Sequence, residues 1–331
     1  MADRVTIIGL GCVGTSIGLA LRREEPDLEV IGHDVERAHA RQAHRMGAVS
    51  RTHWNLPAAC EGADVVILAL PLPAVRQTLE DVAPHLEEGC VLTDTATLKV
   101  PVLKWARRYL PDHVGFVTGV PIPGPTVEAG KLLVGPDAAS ADLFEGSVYC
   151  ITPAADTEQY AVTTLAGLAS RLGARPLFVD PVEYDGLRAG AGDLPALLAV
   201  ALLQATVRSP GWRDMRKVAG YRFAAMTEPA ASDPSGSSEV AMLNRENLVR
   251  RLDMLLEELG HIRQWLVEND EQALGDAYTS AAEGHLRWRN ERAKGTWEKS
   301  AGLGEVSGVG EHIGRILFGG LVRRQPPGEE E

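Results

Sequence analysis

The sequence predicts a protein of the α/β class, in which a Rossmann domain with a doubly wound parallel sheet precedes an all-helical domain. Three observations lead to this prediction. Short apolar runs alternate with helical segments over about the first 180 residues, as in doubly wound sheets. The first of these runs leads directly into glycines at positions 9, 11 and 14. Beyond residue 181 the strand signal nearly disappears and helical periodicity replaces it.

Seven short runs in the first part are predicted strands. They are Arg4–Ile8, Glu29–Asp34, Ala63–Pro71, Val91–Asp94, Gly115–Gly119, Val148–Thr152 and Arg175–Val179. The run at 63–71 is apolar almost throughout, which is typical of a parallel strand buried on both faces. We therefore place a dinucleotide-binding domain at residues 1–180, a helical substrate and dimerisation domain at 181–292, and a flexible Gly-rich tail at 293–331.

The helical part is predicted from three features. Residues 194–207 form an apolar helix that we expect to be buried, and residues 230–238 form a polar turn. Leucine and isoleucine recur in steps of four and three on a long helix, which gives an apolar stripe that needs a covering partner. That stripe is either internal core or a dimer seam, and its members are Leu248, Leu252, Leu255, Leu259, Ile262 and Leu266. In the tail, residues 313–321 are either a short docking helix for another protein or a frayed appendage.

Composition and charge exclude several classes of protein. Hydrophobic residues make up 45% of the 331 residues, so a disordered chain is excluded. The net charge of −12 argues against a nucleic-acid or anionic membrane surface, because both require clustered positive charge. We count no apolar run of the roughly 18 residues that a membrane span needs, and we see no signal peptide. Four scattered cysteines without CxxC spacing predict a reduced, cytoplasmic protein with no metal site.

The glycines at 9, 11 and 14 form a GxGxxG pattern between a strand and a helix. They allow a tight turn, the approach of a pyrophosphate and close helix packing, respectively. Asp34 follows Gly14 by 20 residues, at the end of the next strand, where an acid binds ribose hydroxyls and repels a 2′-phosphate. This favours NAD over NADP, although Arg37 leaves NADP open. The predicted cofactor site comprises Gly9, Leu10, Gly11, Cys12, Val13, Gly14, Asp34, Leu70 and Pro71.

The order of the motifs resembles that of the prephenate/arogenate dehydrogenases of tyrosine biosynthesis. GLGCVGTSIGLAL is similar to that family's GLGLIGGSLALAL, TDTATLK at 93–99 to TDVGSVK, and FVTGVPIPG at 116–124 to FVGGHPMAG. Farther along, Asp193-Leu194-Pro195 falls on the HLP of SHLPH, and residues 223–234 run parallel to FRDFTRIASSDP. The resemblance implies a Rossmann domain followed by a helical dimerising domain, a homodimer, and NAD-dependent oxidative decarboxylation of a small-molecule substrate.

The departures from the family pattern fall on its chemistry. Val120 stands where the family has the His that takes the proton from the ring hydroxyl. Asp193 stands at the His of SHLPH, and Glu228 at the Arg that holds a substrate carboxylate. The remaining catalytic candidates are Thr97, where the family has Ser, to orient the substrate hydroxyl, and Asp193 as the base. For Asp193 the alternative is a helix N-cap ahead of Leu194-Pro195.

Two arginines are candidates to bind a substrate carboxylate, namely Arg188 and Arg222, and for both the alternative is an ordinary surface position. Three hypotheses for the whole protein follow. The first is an NAD-dependent dehydrogenase acting on prephenate or arogenate with a rebuilt site. The second is a dehydrogenase with another substrate, and the third is a catalytically degenerate NAD-binding protein with a regulatory or scaffolding role.

Overall fold

The computed structural model describes residues 4–127, 133–231 and 234–295, and within them the chain forms nine strands and thirteen α-helices. The strands are β1 (Arg4–Ile8), β2 (Glu29–His33), β3 (Arg51–Thr52), β4 (Val65–Leu68), β5 (Val91–Asp94), β6 (Gly115–Phe116), β7 (Thr118–Pro121), β8 (Val148–Thr152) and β9 (Arg175–Phe178). The helices are α1 (Cys12–Glu24), α2 (Arg37–Arg45), α3 (Leu56–Cys60), α4 (Leu72–Val82), α5 (Val100–Tyr109), α6 (Gln159–Arg171), α7 (Pro181–Arg188), α8 (Leu194–Val207), α9 (Trp212–Val218), α10 (Tyr221–Thr227), α11 (Pro234–Leu243), α12 (Arg245–Glu268) and α13 (Glu271–Lys294).

Six parallel strands form the first sheet, in the order β3-β2-β1-β4-β5-β6. This is the strand order of a dinucleotide-binding Rossmann fold, in which ligands bind at the carboxyl edge where the order reverses, here between β1 and β4. The aliphatic strand residues are buried on both faces beneath the helices. The register pairs Ile8 with Leu68 and Leu68 with Asp94, so the loops that follow β1, β4 and β5 emerge at one edge. The predicted fold class is confirmed.

The last predicted strands do not join this sheet. The run predicted at 115–119 divides into β6 and β7, and β7 opens a second sheet in the order β7-β8-β9. In that sheet β7 is antiparallel to β8, and β8 is parallel to β9. An apolar run predicts a strand but not its partner, which explains this difference. The two-residue strand β3 was not predicted, because Arg51 and Thr52 are polar and exposed.

Helices α7 and α8 form one continuous helix, joined by a π-helical turn at Ala189–Asp193. Asp193 has helical dihedral angles and makes no side-chain cap, so the alternative of an N-cap is wrong. The predicted turn at 230–238 is also largely wrong. A 3-10 turn covers Glu228–Ala231 and α11 begins at Pro234, because proline is well tolerated in the first turn of a helix.

Much apolar helical surface is exposed in the single chain. In α8 the side chain of Ala199 is buried, but Val200 is 42% and Leu202 37% exposed, so the prediction of a buried helix is wrong for the isolated chain. The stripe on α12 is buried at Leu248 and exposed farther along, with Leu266 at 63%. This exposure favours a dimer seam over an internal core as the role of the stripe on α12.

The helix that spans Pro181–Val207 is long and apolar enough to cross a membrane, with a mean hydropathy of 1.5 in its most apolar window and only 11% of that window buried. The search for apolar runs in the sequence does not predict this segment. One such helix is weak evidence of a membrane segment. Helix α13 ends at Lys294, two residues beyond the predicted boundary of the tail, and the segment 313–321 lies outside the described residues.

Candidate active site

The glycine loop after β1 has the shape that a dinucleotide requires. Gly9 has φ +94°, and a Cβ there would lie 2.3 Å from the Ala69 carbonyl oxygen. A Cβ on Gly14 would lie 1.9 Å from the Gly9 carbonyl oxygen, so helix α1 packs directly against the turn. A Cβ on Gly11 would meet nothing within 4 Å. Gly11 is the N-cap residue of α1, and no side chain caps the helix there. The loop therefore leaves open space at a helix N-terminus, which suits a pyrophosphate.

Asp34 follows β2 and is tied to this loop. Its Oδ2 accepts the Leu10 N–H at 2.7 Å, and its Oδ1 accepts the Glu36 N–H at 2.7 Å. His39 Nδ1 lies 3.7 Å from the same carboxylate. Each carboxylate oxygen can accept a further hydrogen bond, so these contacts fix the carboxylate and leave it able to bind ribose hydroxyls. The other two predicted cofactor residues, Leu70 and Pro71, follow β4 at the same edge, and Leu70 packs against Gly9.

A buried ion pair lies at the end of β5. Lys99 and Asp94 are both fully buried, with Nζ 3.1 Å from Oδ1. Lys99 also donates to the Gly119 carbonyl at 2.7 Å, and the Thr118 hydroxyl donates to Asp94. Burial lowers the pKa of Lys99, and the charge of Asp94 opposes that shift. The pair thus fastens the loop after β5 to β7, which carries Val120.

Thr97 lies inside this loop. Its Oγ1 is buried and has no hydrogen-bond partner within the described residues. An unpaired buried hydroxyl is unfavourable, and the Thr97 hydroxyl, like those of Thr93 and Tyr149, is available to a further hydrogen-bond partner. Val120 is half-buried, next to the Gly119 carbonyl that Lys99 holds. The bond from Lys99 to the Gly119 carbonyl therefore holds the loop that carries Thr97 against the strand that carries Val120, the two residues at the family's Ser and His positions.

Helix α7 joins the same site from the helical part. The ring of Tyr184 lies 6.0 Å from Lys99 Nζ, and burial raises the pKa of its phenol. The Asp185 carboxylate accepts the backbone N–H groups of Lys99 and Val100 at 2.7 and 3.0 Å, and so caps α5 from another helix. Burial raises the pKa of Asp185, and these two donors oppose the shift.

Asp193 is 7% exposed, and both of its oxygens face donors. Arg188 Nε lies 3.1 Å from Oδ1 in an ion pair whose N–H is not aligned as a hydrogen bond. Asn244 Nδ2 donates to Oδ2 at 3.3 Å and to the Asp185 carbonyl at 2.9 Å. A carboxylate engaged on both sides by its own chain is poorly placed to act as a base.

Two predicted positions lie on other elements. Arg222 is exposed on α10, where it donates to the Tyr221 hydroxyl at 3.1 Å and stacks on that ring. Glu228 lines a groove of about 560 Å³ beside α8 and α10, with Leu203 and Thr227 among its walls. Neither residue contacts the Lys99 network through a hydrogen bond or ion pair that the described residues show.

Sequence analysis did not identify Tyr184, Asp185 or Asn244 as site residues. Asn244 begins the segment Asn244-Arg245-Glu246, which is similar to an Asn-Arg-Glu of the prephenate/arogenate dehydrogenases, and this resemblance could have pointed to it. Asp185 gave no signal, because its role depends on contact with Lys99, which lies 86 residues earlier at the start of α5.

Comparison with known proteins agrees with this geometry. The family model "Prephenate dehydrogenase, nucleotide-binding domain" matches residues 17–177, and "Prephenate dehydrogenase, dimerization domain" matches residues 180–278. The chain belongs to the prephenate dehydrogenase family. The prephenate dehydrogenase of Bacillus subtilis is 28% identical over 276 residues, which cover 83% of this chain and 73% of that protein. The cyclohexadienyl dehydrogenase of Zymomonas mobilis is 27% identical over 288 residues, covering 85% of this chain and 94% of that protein.

The fold is shared with a solved prephenate dehydrogenase from Aquifex aeolicus, in complex with hydroxyphenyl propionate and NAD+. Its TM-score is 0.76 at 22% identity, with 86% of this chain and 98% of that chain covered. The family confirms the predicted nucleotide-binding domain and the prediction of a dehydrogenase of the prephenate/arogenate type. NAD as the cofactor agrees with the nucleotide-binding domain of the family. The dimerization domain supports the predicted homodimer.

Proposed function

We propose that this chain catalyses the NAD-dependent oxidative decarboxylation of prephenate or arogenate. The observation that carries the proposal is the unpaired Thr97 hydroxyl at the carboxyl edge of the sheet, on the intact Asp94–Lys99 network. The glycine loop emerges at the same edge, two strands away. The names of the relatives from Bacillus subtilis and Zymomonas mobilis support the same substrate class.

The missing histidine is compatible with this chemistry. The substrate loses hydride from the ring carbon that bears the hydroxyl and CO₂ from the opposite ring carbon. The electron pair released with CO₂ completes the aromatic ring as the hydride leaves, so charge and atoms balance with the hydroxyl proton still on its oxygen. NAD, when bound, supplies the hydride acceptor. The reaction therefore balances without a base at position 120, where Val120 offers an apolar, half-buried side chain in place of the imidazole.

Thr97 has the positioning role in this proposal. Its Oγ1 hydrogen-bonds the ring hydroxyl, which fixes the ring carbon for hydride loss. Replacing Thr97 by Val keeps the side-chain shape and removes the hydrogen bond, and we expect kcat/KM to fall about 10- to 100-fold. Thr97→Ser is the matched control and keeps most of the activity.

The test is NADH formation, followed by absorbance, with prephenate and arogenate as separate substrates. We expect turnover of at least one of them. Since no base is used, kcat should stay level from roughly pH 6 to 9, where a histidine base would give a slope. Intact NAD binding without turnover of either substrate would contradict the proposal and favour a regulatory or scaffolding role.

We further propose that the chain works as a homodimer in the cytoplasm. The exposed apolar surface of α8 and α12 supports the dimer. Cys60, Cys90 and Cys150 are free and buried, which supports a reducing compartment.

A further inference from the structure

The helix that carries Arg188 and Asp193 contains a feature that the family motif does not explain. Its π-helical turn covers Ala189–Asp193, directly after Arg188. In a π-helix the hydrogen bonds join residues five apart, so residues 188 and 193 are brought onto one face. The turn therefore makes the 3.1 Å ion pair between Arg188 and Asp193 possible. Such turns within α-helices are frequent at functional sites.

Gly192 makes room for the arginine. A Cβ at this position would lie 2.1 Å from Arg188 Nη1 and 2.4 Å from its Cζ. The guanidinium thus lies directly over the Gly192 backbone. In the SHLPH motif a Ser corresponds to Gly192 and a His to Asp193, and a Ser side chain would collide with Arg188 in its present position. The glycine and the aspartate are both needed to hold the arginine here.

Asp193 holds the Arg188 guanidinium in place, but part of the guanidinium remains accessible to a ligand. Arg188 Nε is buried and lies 3.1 Å from Asp193 Oδ1, while 34% of the side chain is exposed. Asp193 is immobilised in turn by Asn244, which is anchored on the Asp185 carbonyl. A guanidinium fixed on one edge and open on another is suited to binding a carboxylate.

This guanidinium belongs to the site around Lys99. Tyr184 precedes Arg188 by four residues, so the two side chains share one face of α7. The Tyr184 ring lies 6.0 Å from Lys99 Nζ, and Thr97 lies two residues before Lys99. Tyr184 therefore contacts the Lys99 end of the site with its ring and shares a helix face with Arg188.

We propose that Arg188 binds the side-chain carboxylate of the substrate, and that Asp193 is a positioning residue for Arg188 rather than a base. The inference rests on the function proposed above. The carboxylate assigned to Arg188 is the one that the product retains. A guanidinium bound to the other carboxylate, which leaves as CO₂, would stabilise the ground state and slow the reaction. The new clamp replaces the family arginine, whose position Glu228 occupies.

Kinetics of four variants test the proposal. Arg188→Met should raise the KM for the substrate about 10- to 100-fold, with a smaller change in kcat. Asp193→Asn and Gly192→Ala should raise the same KM by smaller factors, since each displaces the guanidinium without removing it. Arg107→Met is the matched control and should leave KM unchanged, because Arg107 is 58% exposed and paired with Asp156. The KM for NAD should stay constant throughout.

Two kinetic outcomes would overturn the proposal. If Asp193→Asn lowers kcat about 10²- to 10⁴-fold with KM unchanged and abolishes a pH-dependent limb of kcat, Asp193 is the base. If Arg188→Met folds and leaves KM unchanged, Arg188 is not the clamp. Should Arg188→Met fail to fold, Gly192→Ala decides, because the atom it displaces is the end of a flexible side chain.

Binding separates this proposal from the proposed function. Calorimetry with NAD present compares hydroxyphenyl propionate with the corresponding alcohol, which lacks the carboxylate. We expect the wild type to bind the acid more tightly by about 10-fold or more, and Arg188→Met to lose that preference. Carboxylate preference without turnover would retain the clamp and reject the function, whereas turnover without Arg188-dependent preference would do the reverse.

Discussion

At the scale of single residues, the three glycines of the loop have different structural roles. Gly9 and Gly14 lie against backbone atoms, whereas the space around Gly11 is open. A side chain at Gly14 therefore disturbs the fold, but one at Gly11 disturbs only what approaches the loop. This difference allows cofactor binding to be tested independently of folding.

We expect Gly11→Val to fold with only a small loss of stability at the N-cap of α1 and to abolish NAD binding, because Val would occupy the space of the pyrophosphate. Gly167→Val, also a glycine with open space around it, is the control and should bind NAD normally. Thermal unfolding with and without NAD measures both effects. In the same assay Asp34→Ala should weaken NAD binding and reduce the difference in affinity between NAD and NADP. Unchanged NAD affinity in Gly11→Val would contradict the assigned site.

The buried pair of Asp94 and Lys99 gives a second prediction at this scale. Asp94→Asn leaves the Lys99 ammonium buried without its counter-charge, which should lower the free energy of unfolding by about 3–5 kcal/mol. The double variant Asp94→Asn with Lys99→Met removes the uncompensated charge and should recover at least half of that loss. Urea unfolding of the three proteins gives the comparison. A loss below about 1 kcal/mol in the single variant would show that the pair is not charged in the folded state.

At the scale of elements, the helix from Pro181 to Val207 connects the nucleotide domain to the helical part. Asp180 caps its first turn by accepting the N–H groups of Val182 and Glu183 at 2.8 and 3.2 Å. Farther along, Asp185 caps α5 in the nucleotide domain. One helix therefore fixes both its own start and that of a helix in the first domain.

Asp180→Ala should lower the free energy of unfolding by about 1–2 kcal/mol, because two N–H groups lose their acceptor. Asp180→Asn can still accept these bonds and should lose much less. Asp156, whose side chain is 67% exposed and paired with Arg107, gives a surface control, and Asp156→Ala should change stability by less than about 1 kcal/mol. Chemical denaturation distinguishes the variants, and equal losses for Asp180→Ala and Asp156→Ala would refute the cap.

At the scale of the whole molecule, the helical part exposes more apolar surface than a monomer normally tolerates. Ile262 and Leu266 on α12 are 39% and 63% exposed, and α8 is exposed along much of its length. A second copy packed against these faces would bury the exposed apolar side chains of α8 and α12. The match to a dimerization domain over residues 180–278 agrees with this explanation.

Light scattering at micromolar concentration should give twice the chain mass of 35.5 kDa. Adding a charge to the covered face, as in Leu266→Lys, should shift the protein toward monomer, since burying an unpaired charge in an interface is unfavourable. Val134 is 74% exposed in the nucleotide domain, and Val134→Lys should stay dimeric. A wild-type mass of one chain would exclude the dimer.

The sequence by itself determined the parallel sheet, the glycine loop and the family. All three follow from local patterns. The apolar runs, the glycine spacing and the acid after the second strand each predict their structure from residues that are close in sequence. It also located Thr97, Arg188 and Asp193 as candidates, since each falls on or near a recognisable motif.

Only the tertiary structure decided how these residues combine. Arg188 and Asp193 meet because a π-helical turn changes the helical period, and Gly192 leaves the space they need. Asp185 reaches the start of α5 across 86 residues of chain. The second sheet likewise depended on the choice of strand partners. Packing energy determines the contacts between residues distant in sequence and the local change in helix geometry. The periodicity of the sequence predicts neither of them.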